Sequence, residues 1–90
     1  MKVIQDLATL YSALLLLTGE TGQLNFKDRV ISYKAEGRVH KLQWVYDGTA
    51  WDVESGISVK AKHYQSKHGA IEHAVKELID KLKADQIITK

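Results

Sequence analysis

Three lysines and two histidines stand between Lys60 and His68, and no acidic residue interrupts the chain from Ile57 to Ala70. Such a stretch could ligate a metal, work as acid or base, or grip an anion. Spacing argues against the first. His63, His68 and His73 are five apart, which on a helix turns each roughly 140° from the last. Ligands for one ion must share a face, usually at i,i+3 or i,i+4. No metal site is expected, and the histidines read as solvent-facing or helix-edge side chains.

Catalysis finds little to work with. Asp47, Asp52 and Glu54 form the one local acidic group. Asp47 precedes Gly48, a pair that favours a hairpin turn for reasons unrelated to catalysis. Asp52 and Glu54 share a strand face, more often a solvated face than an acid/base pair. Ser66 has no glycine elbow around it, and there is neither a phosphate-cradling glycine loop nor a dinucleotide fingerprint. An enzyme, and with it any cofactor, is not expected. With no cysteine in the chain, thiolate chemistry and disulfides are excluded outright.

Charge geography is the remaining signal. Lys27, Arg29, Lys34, Arg38 and Lys41 form one basic block, and Lys60, Lys62 and Lys67 a second, whereas residues 42–59 carry three acids and no base. The second block feeds a helix start, where free N–H groups and the positive dipole end favour anions. Outward lysines also protect sheet edges from aggregation, and the two readings weigh nearly equally. The candidate anion-binding residues are Arg38, His40, Lys60, Lys62, Lys67 and His68.

Positioning these residues requires two kinds of element. Val3, Ile4, Leu7, Ala8, Tyr11, Leu14 and Leu15 recur at helical spacing, which predicts a helix from about Lys2 to Leu17, stopped by Thr18-Gly19. Leu14–Leu17 make its end apolar on nearly every side, so the sheet or a second copy of the chain should cover it. The unbroken apolar run is far shorter than a membrane span, and no cleavage site follows. Short strands are then expected at Leu24–Lys27 and Val30–Lys34, followed by a turn at Ala35–Arg38. His40, Leu42, Trp44 and Tyr46 alternate as a strand whose apolar face includes Trp44. Asp47-Gly48 should turn the chain back into Trp51 and Val53, with Trp51 left open between the core and the free sheet face. Ile57, Val59 and Ala61 should face inward, with Ser58, Lys60 and Lys62 outward. A last helix runs from Ser66 or Lys67 to Lys83, capped by Ser66, with Ala70, Ile71, Ala74, Val75, Leu78, Ile79 and Leu82 as its core stripe.

The expected fold is therefore α+β, a two-layer sandwich in the order α-β-β-β(-β)-α, with the N- and C-terminal helices on one face of a three- to four-stranded antiparallel sheet. Ninety residues, 44% of them hydrophobic, make a single domain over 1–90. A net charge of +2 does not by itself imply nucleic acid.

The order of elements and two short stretches resemble the double-stranded-RNA-binding domain family. Glu36-Gly37-Arg38-Val39-His40 is similar to the family's Gly-Pro-x-His loop, with Arg38 in place of proline. Lys67-His68-Gly69-Ala70-Ile71 is similar to its Lys-Lys-x-Ala-Lys helix start, retaining the first lysine and the alanine. The resemblance implies a non-catalytic domain contacting a nucleic-acid phosphate backbone, duplex RNA included, through Arg38, His40 and Lys67, with Lys60, Lys62 and His68 from the second basic block expected to join them. The cysteine-free composition is compatible with a cytoplasmic location. The alternative is a small protein-interaction module, such as a homodimer through Leu14–Leu17 or an inhibitor docking on a larger protein.

Overall fold

The computed structural model of the chain describes residues 20–87. Four antiparallel strands run in meander order: β1 (Thr21–Phe26), β2 (Arg29–His40), β3 (Gln43–Asp52) and β4 (Ser58–Tyr64). One helix follows, α1 (Lys67–Ala84). The expected α-β-β-β(-β)-α sandwich with a helix at each end is corrected accordingly. The described residues show a four-stranded sheet and a single, C-terminal helix. The expected Lys2–Leu17 helix and the Leu14–Leu17 dimer contact lie outside the described residues.

The sequence rules hold for α1. Ser66 adopts an extended N-cap conformation, and its hydroxyl oxygen accepts from the Gly69 N–H at 2.9 Å, satisfying one of the otherwise orphaned amides of the first turn. All seven expected stripe residues are buried. Lys81 and Lys83 stand in the last turn, where cations offset the negative dipole end. The stripe packs on Leu24, Phe26, Ile31, Tyr33, Ala35, Ala50 and Ala61 from the four strands, each large side chain contributing about 1.5–3 kcal/mol by leaving water. The other face of the sheet carries Gln23, Ser32, Asp47, Thr49, Lys60 and Lys62, as strand alternation and the pairing register require. Trp51 stands on this second face opposite Ser32 and is half-buried.

The turns fall elsewhere than glycine suggests. Neither Ala35–Arg38 nor Asp47-Gly48 turns the chain: the first is inside β2 and the second inside β3, with Ala35 paired to Gly48 and Gly37 to Tyr46. The reversals are instead at Lys27-Asp28 and Lys41-Leu42, each pair having both residues at positive φ, the geometry of the two-residue turn that matches sheet twist. Gly48 serves packing. A Cβ there would overlap the Ala70 carbonyl of α1, so the strand needs glycine for the helix backbone to sit directly upon it.

Because β2 and β3 outrun their neighbours, they form a projecting arm. The last partner of β1 on β2 is Lys34, and β4 ends where Tyr64 meets Tyr46. Among the described residues, the two strands pair only with each other from Gly37 to Val45.

Candidate functional site

The arm concentrates exposed apolar and cationic side chains. Leu42 at its tip is 98% exposed, Val39 64% and Trp44 59%. The expectation that Trp44 belongs to the core is corrected here. It keeps the helix-side register, paired with Val39, but stands beyond the reach of α1. Its ring lies over Gly37, where a Cβ would come within 2.5 Å of Cζ2, and meets Tyr46 edge-on at 6.3 Å. Leu42 sits in a left-handed conformation (φ 65°) beside Lys41 (φ 51°). For residues other than glycine this costs on the order of 1 kcal/mol each. A turn optimised for stability would use Asn-Gly; this one places a leucine and a lysine at the outermost point.

Arg38, His40 and Gln43 occupy the opposite side of the arm, and its base is pinned to β4 by Asp47. One carboxylate oxygen of Asp47 accepts from Arg38 Nε at 2.7 Å, the other from the His63 backbone N–H at 3.2 Å. That N–H is free because Lys62 and His63 together oppose Asp47 in a β-bulge, with His63 at φ 69°. The hydrogen bond from Arg38 holds the Asp47 carboxyl below the usual carboxylate range, against the opposing effect of its own burial. The His63 ring stacks on His40, with centroids 4.1 Å apart and planes 26° from parallel.

The six sequence-derived candidates thus divide. Arg38 and His40 lie on the arm, and Lys60 and Lys62 on the same sheet face nearby, Lys60 close enough to act on Asp47. Lys67 and His68 open α1 in the other layer, where Lys67 pairs with Glu20 at 3.1 Å. Sequence reasoning missed His63 as a partner of His40. It also missed Val39, Leu42 and Trp44 as surface residues, because alternation assigns a side but not what covers it. The clue was Lys41-Leu42, a lysine and a leucine between two β-forming runs. Among the described residues no cluster of three or more histidines and acids could hold a metal, and no helix is long and apolar enough to cross a membrane.

No family model and no solved structure matches the chain. Two curated proteins do. The anti-lipopolysaccharide factor of Tachypleus tridentatus is 26% identical across 100% of this chain and 80% of its own length. The anti-lipopolysaccharide factor of Limulus polyphemus is 27% identical across 98% of this chain and 79% of its own. Both are named for lipopolysaccharide and neither for nucleic acid, so the nucleic-acid-binding, RNA-binding-like expectation is corrected. The physical reason is visible on the arm: a phosphate-backbone surface has no use for a fully exposed leucine and a valine beside its cations.

Proposed function

We propose that this chain is a non-catalytic lipopolysaccharide-binding domain and that the β2–β3 arm is its contact surface. Lipopolysaccharide is an anionic amphiphile with phosphorylated sugars beside acyl chains, so a complementary surface must offer cations and apolar side chains together. The arm does so: Lys41, Arg38 and His40 meet phosphate, while Val39, Leu42 and Trp44 meet the acyl boundary. Tryptophan suits this position because its ring is apolar and its N–H polar. The observation that carries the reading is Leu42, 98% exposed beside Lys41 at the end of a projecting hairpin. Large exposed apolar groups rimmed by polar ones mark binding surfaces. The two relatives' names, spread over nearly the full chain, support the choice of amphiphile.

Co-sedimentation with lipopolysaccharide suspensions tests it. Burying a leucine side chain yields about 1.5–3 kcal/mol, and about 1.4 kcal/mol is tenfold in affinity. The double variant Leu42→Ser/Trp44→Ser should therefore bind at least roughly tenfold more weakly while its thermal unfolding is unchanged. Wild-type protein that stays in the supernatant at low salt, or a double variant that sediments like wild type, removes the proposal.

A further inference from the structure

The base of the arm holds a second feature that lipopolysaccharide binding does not require. His40 from β2 and His63 from β4 stack at 4.1 Å, and among the described residues neither imidazole makes a side-chain hydrogen bond. His63 is exposed and His40 half-buried, so their ring nitrogens are accessible to a ligand from solvent. The groups facing the pair are nearly all cationic. Arg38 comes from β2, Lys62 from β4 and Lys60 from the same β4 face, and among the described residues the carboxylate acting on His63 is Asp47 of β3. That carboxylate is already occupied by Arg38 and the His63 backbone N–H. Glu36, the next acid along β2, pairs with Lys34 at 3.2 Å.

Positive groups therefore gather around one spent counter-charge, beside two imidazoles that can add protons. We propose that His40 and His63, with Lys62 and Arg38, form a proton-linked site for a tetrahedral oxyanion of the phosphomonoester class.

The linkage follows from the arrangement. An imidazolium at His63 stands against the stacked His40 ring and the neighbouring Arg38 and Lys62, so the unliganded protein resists charging His63. Partial desolvation, then His40 and Arg38, hold the His63 imidazole below its ordinary pKa. A bound dianion reverses that balance by attracting every member of the cluster. The anion thus raises proton affinity, and by reciprocity protons raise anion affinity. The bulge supports the arrangement, because φ 69° at His63 turns the ring to meet His40 while the backbone N–H remains with Asp47. A phosphate on a glycolipid and a free phosphate present the same chemistry to this site. The proposal deepens the reading of Arg38 and His40 as phosphate contacts and rests on it for those two residues, whereas the apolar arm tip at Leu42 and Trp44 is tested separately.

Histidine proton resonances of the full chain, followed by NMR from pH 5 to 8, test it with three probes: inorganic sulfate, inorganic phosphate and lipopolysaccharide. Sulfate keeps its charge across this range, so any pH dependence of its binding belongs to the protein. Two histidine midpoints, assigned through His40→Gln and His63→Asn, should rise on adding the anion. Affinity should increase roughly tenfold from pH 7.5 to 5.5, as expected for an average uptake of about half a proton linked to binding across that range. Asparagine tolerates the left-handed backbone, so His63→Asn keeps the bulge while removing the linkage. Circular dichroism unchanged in both variants guards against misfolding. Linkage with free sulfate or phosphate assigns the site to soluble anions as well, and linkage with lipopolysaccharide alone assigns it to lipid-borne phosphate. Anion affinity that does not vary with pH, or that varies equally in both variants, overturns the proposal. Loss of lipopolysaccharide binding with sulfate linkage intact would instead remove the function proposed for the arm tip.

Discussion

Replacing Gly48 with alanine should destabilise the protein, although alanine is the better residue in an ordinary strand by about 0.5–1 kcal/mol. The added Cβ would stand 3.0 Å from Ile71 N, with the Ala70 carbonyl carbon and oxygen nearer still. All three are helix backbone, so no side-chain rotation relieves the overlap. Restoring carbon contacts to about 3.5 Å requires α1 to lift by on the order of 1 Å. A gap of that size forfeits roughly a quarter to a half of each dispersion contact beneath the stripe, and Ala70, Ala74, Val75 and Leu78 are each 0% exposed. Overpacking of this kind costs up to about 3 kcal/mol, leaving a net loss of about 2 kcal/mol after the strand preference is credited. At about 4–8 °C per kcal/mol for a domain this size, a loss of that size lowers Tm by up to roughly 8–16 °C. Thermal melts followed by circular dichroism measure it, with Gly37→Ala as the control. There the new Cβ meets only the exposed Trp44 ring, which can swing aside, so Tm should barely change. A Gly48→Ala variant as stable as wild type would show that the helix does not rest on β3 at this point, and the account of the core would be wrong.

Two further outcomes follow from the carboxylates. Asp52 is completely buried, bonded to Arg29 through Nε at 3.3 Å and through the other guanidinium nitrogen, and it accepts from the Ser55 N–H at 3.1 Å. Asp52→Asn strands a largely buried guanidinium with only Glu54, 3.3 Å away, as counter-charge. Urea unfolding should show a loss of about 3 kcal/mol, the low end for breaking a buried pair, and a neutral result would mean that Arg29 re-pairs without cost. In acid, burial penalises the Asp52 charge, but the hydrogen bonds from Arg29 and Ser55 outweigh it, so Asp52, like Asp47, ionises below its ordinary range. Their stabilisation is complete above about pH 4, the unfolded carboxylate value, and disappears as pH falls through the depressed folded values. His63 is also depressed, so its smaller contribution is complete above about pH 6.5 and declines below it. Urea midpoints measured from pH 3 to 8 should be flat at the alkaline end, ease below about 6.5 and collapse below about 4. Midpoints that rise on acidification from pH 7 to 5 would contradict the sign of the His63 shift, and midpoints that rise on going from about pH 4 to 3 would contradict that of the two carboxylates.

The helix was readable because every cue agreed: the Ser66 cap, the seven-residue stripe and the basic last turn. The sheet's facing was also readable where apolar residues alternate, as in Ile57–Lys62. What misled was punctuation. Asp47-Gly48 is a strong local turn signal, yet tertiary demands used both residues otherwise, aspartate to hold Arg38 and the His63 N–H, glycine to admit the helix. Lys41-Leu42 has no turn chemistry and turns nonetheless, because the pairing of twelve-residue β2 with ten-residue β3 fixes where the reversal must fall. Of the site, the cations Arg38, His40, Lys60 and Lys62 could be found from charge alone. The apolar half could not, since Trp44 has a core residue's periodicity and only the length of the arm beyond the helix leaves it in water.

That length gives a single strand two mechanical regimes. From Ile31 to Ala35, β2 is bonded on both edges and roofed by α1; from Gly37 to His40, among the described residues, it has one neighbouring strand and lies beyond α1. Amide exchange should therefore be slow through the first stretch and fast through the second, since local opening of an isolated hairpin needs no global unfolding. The domain resembles a rigid grip carrying a compliant blade. Bending the blade onto an irregular surface leaves the hydrophobic core undisturbed, and residue changes along it can alter what is bound without altering whether the chain folds.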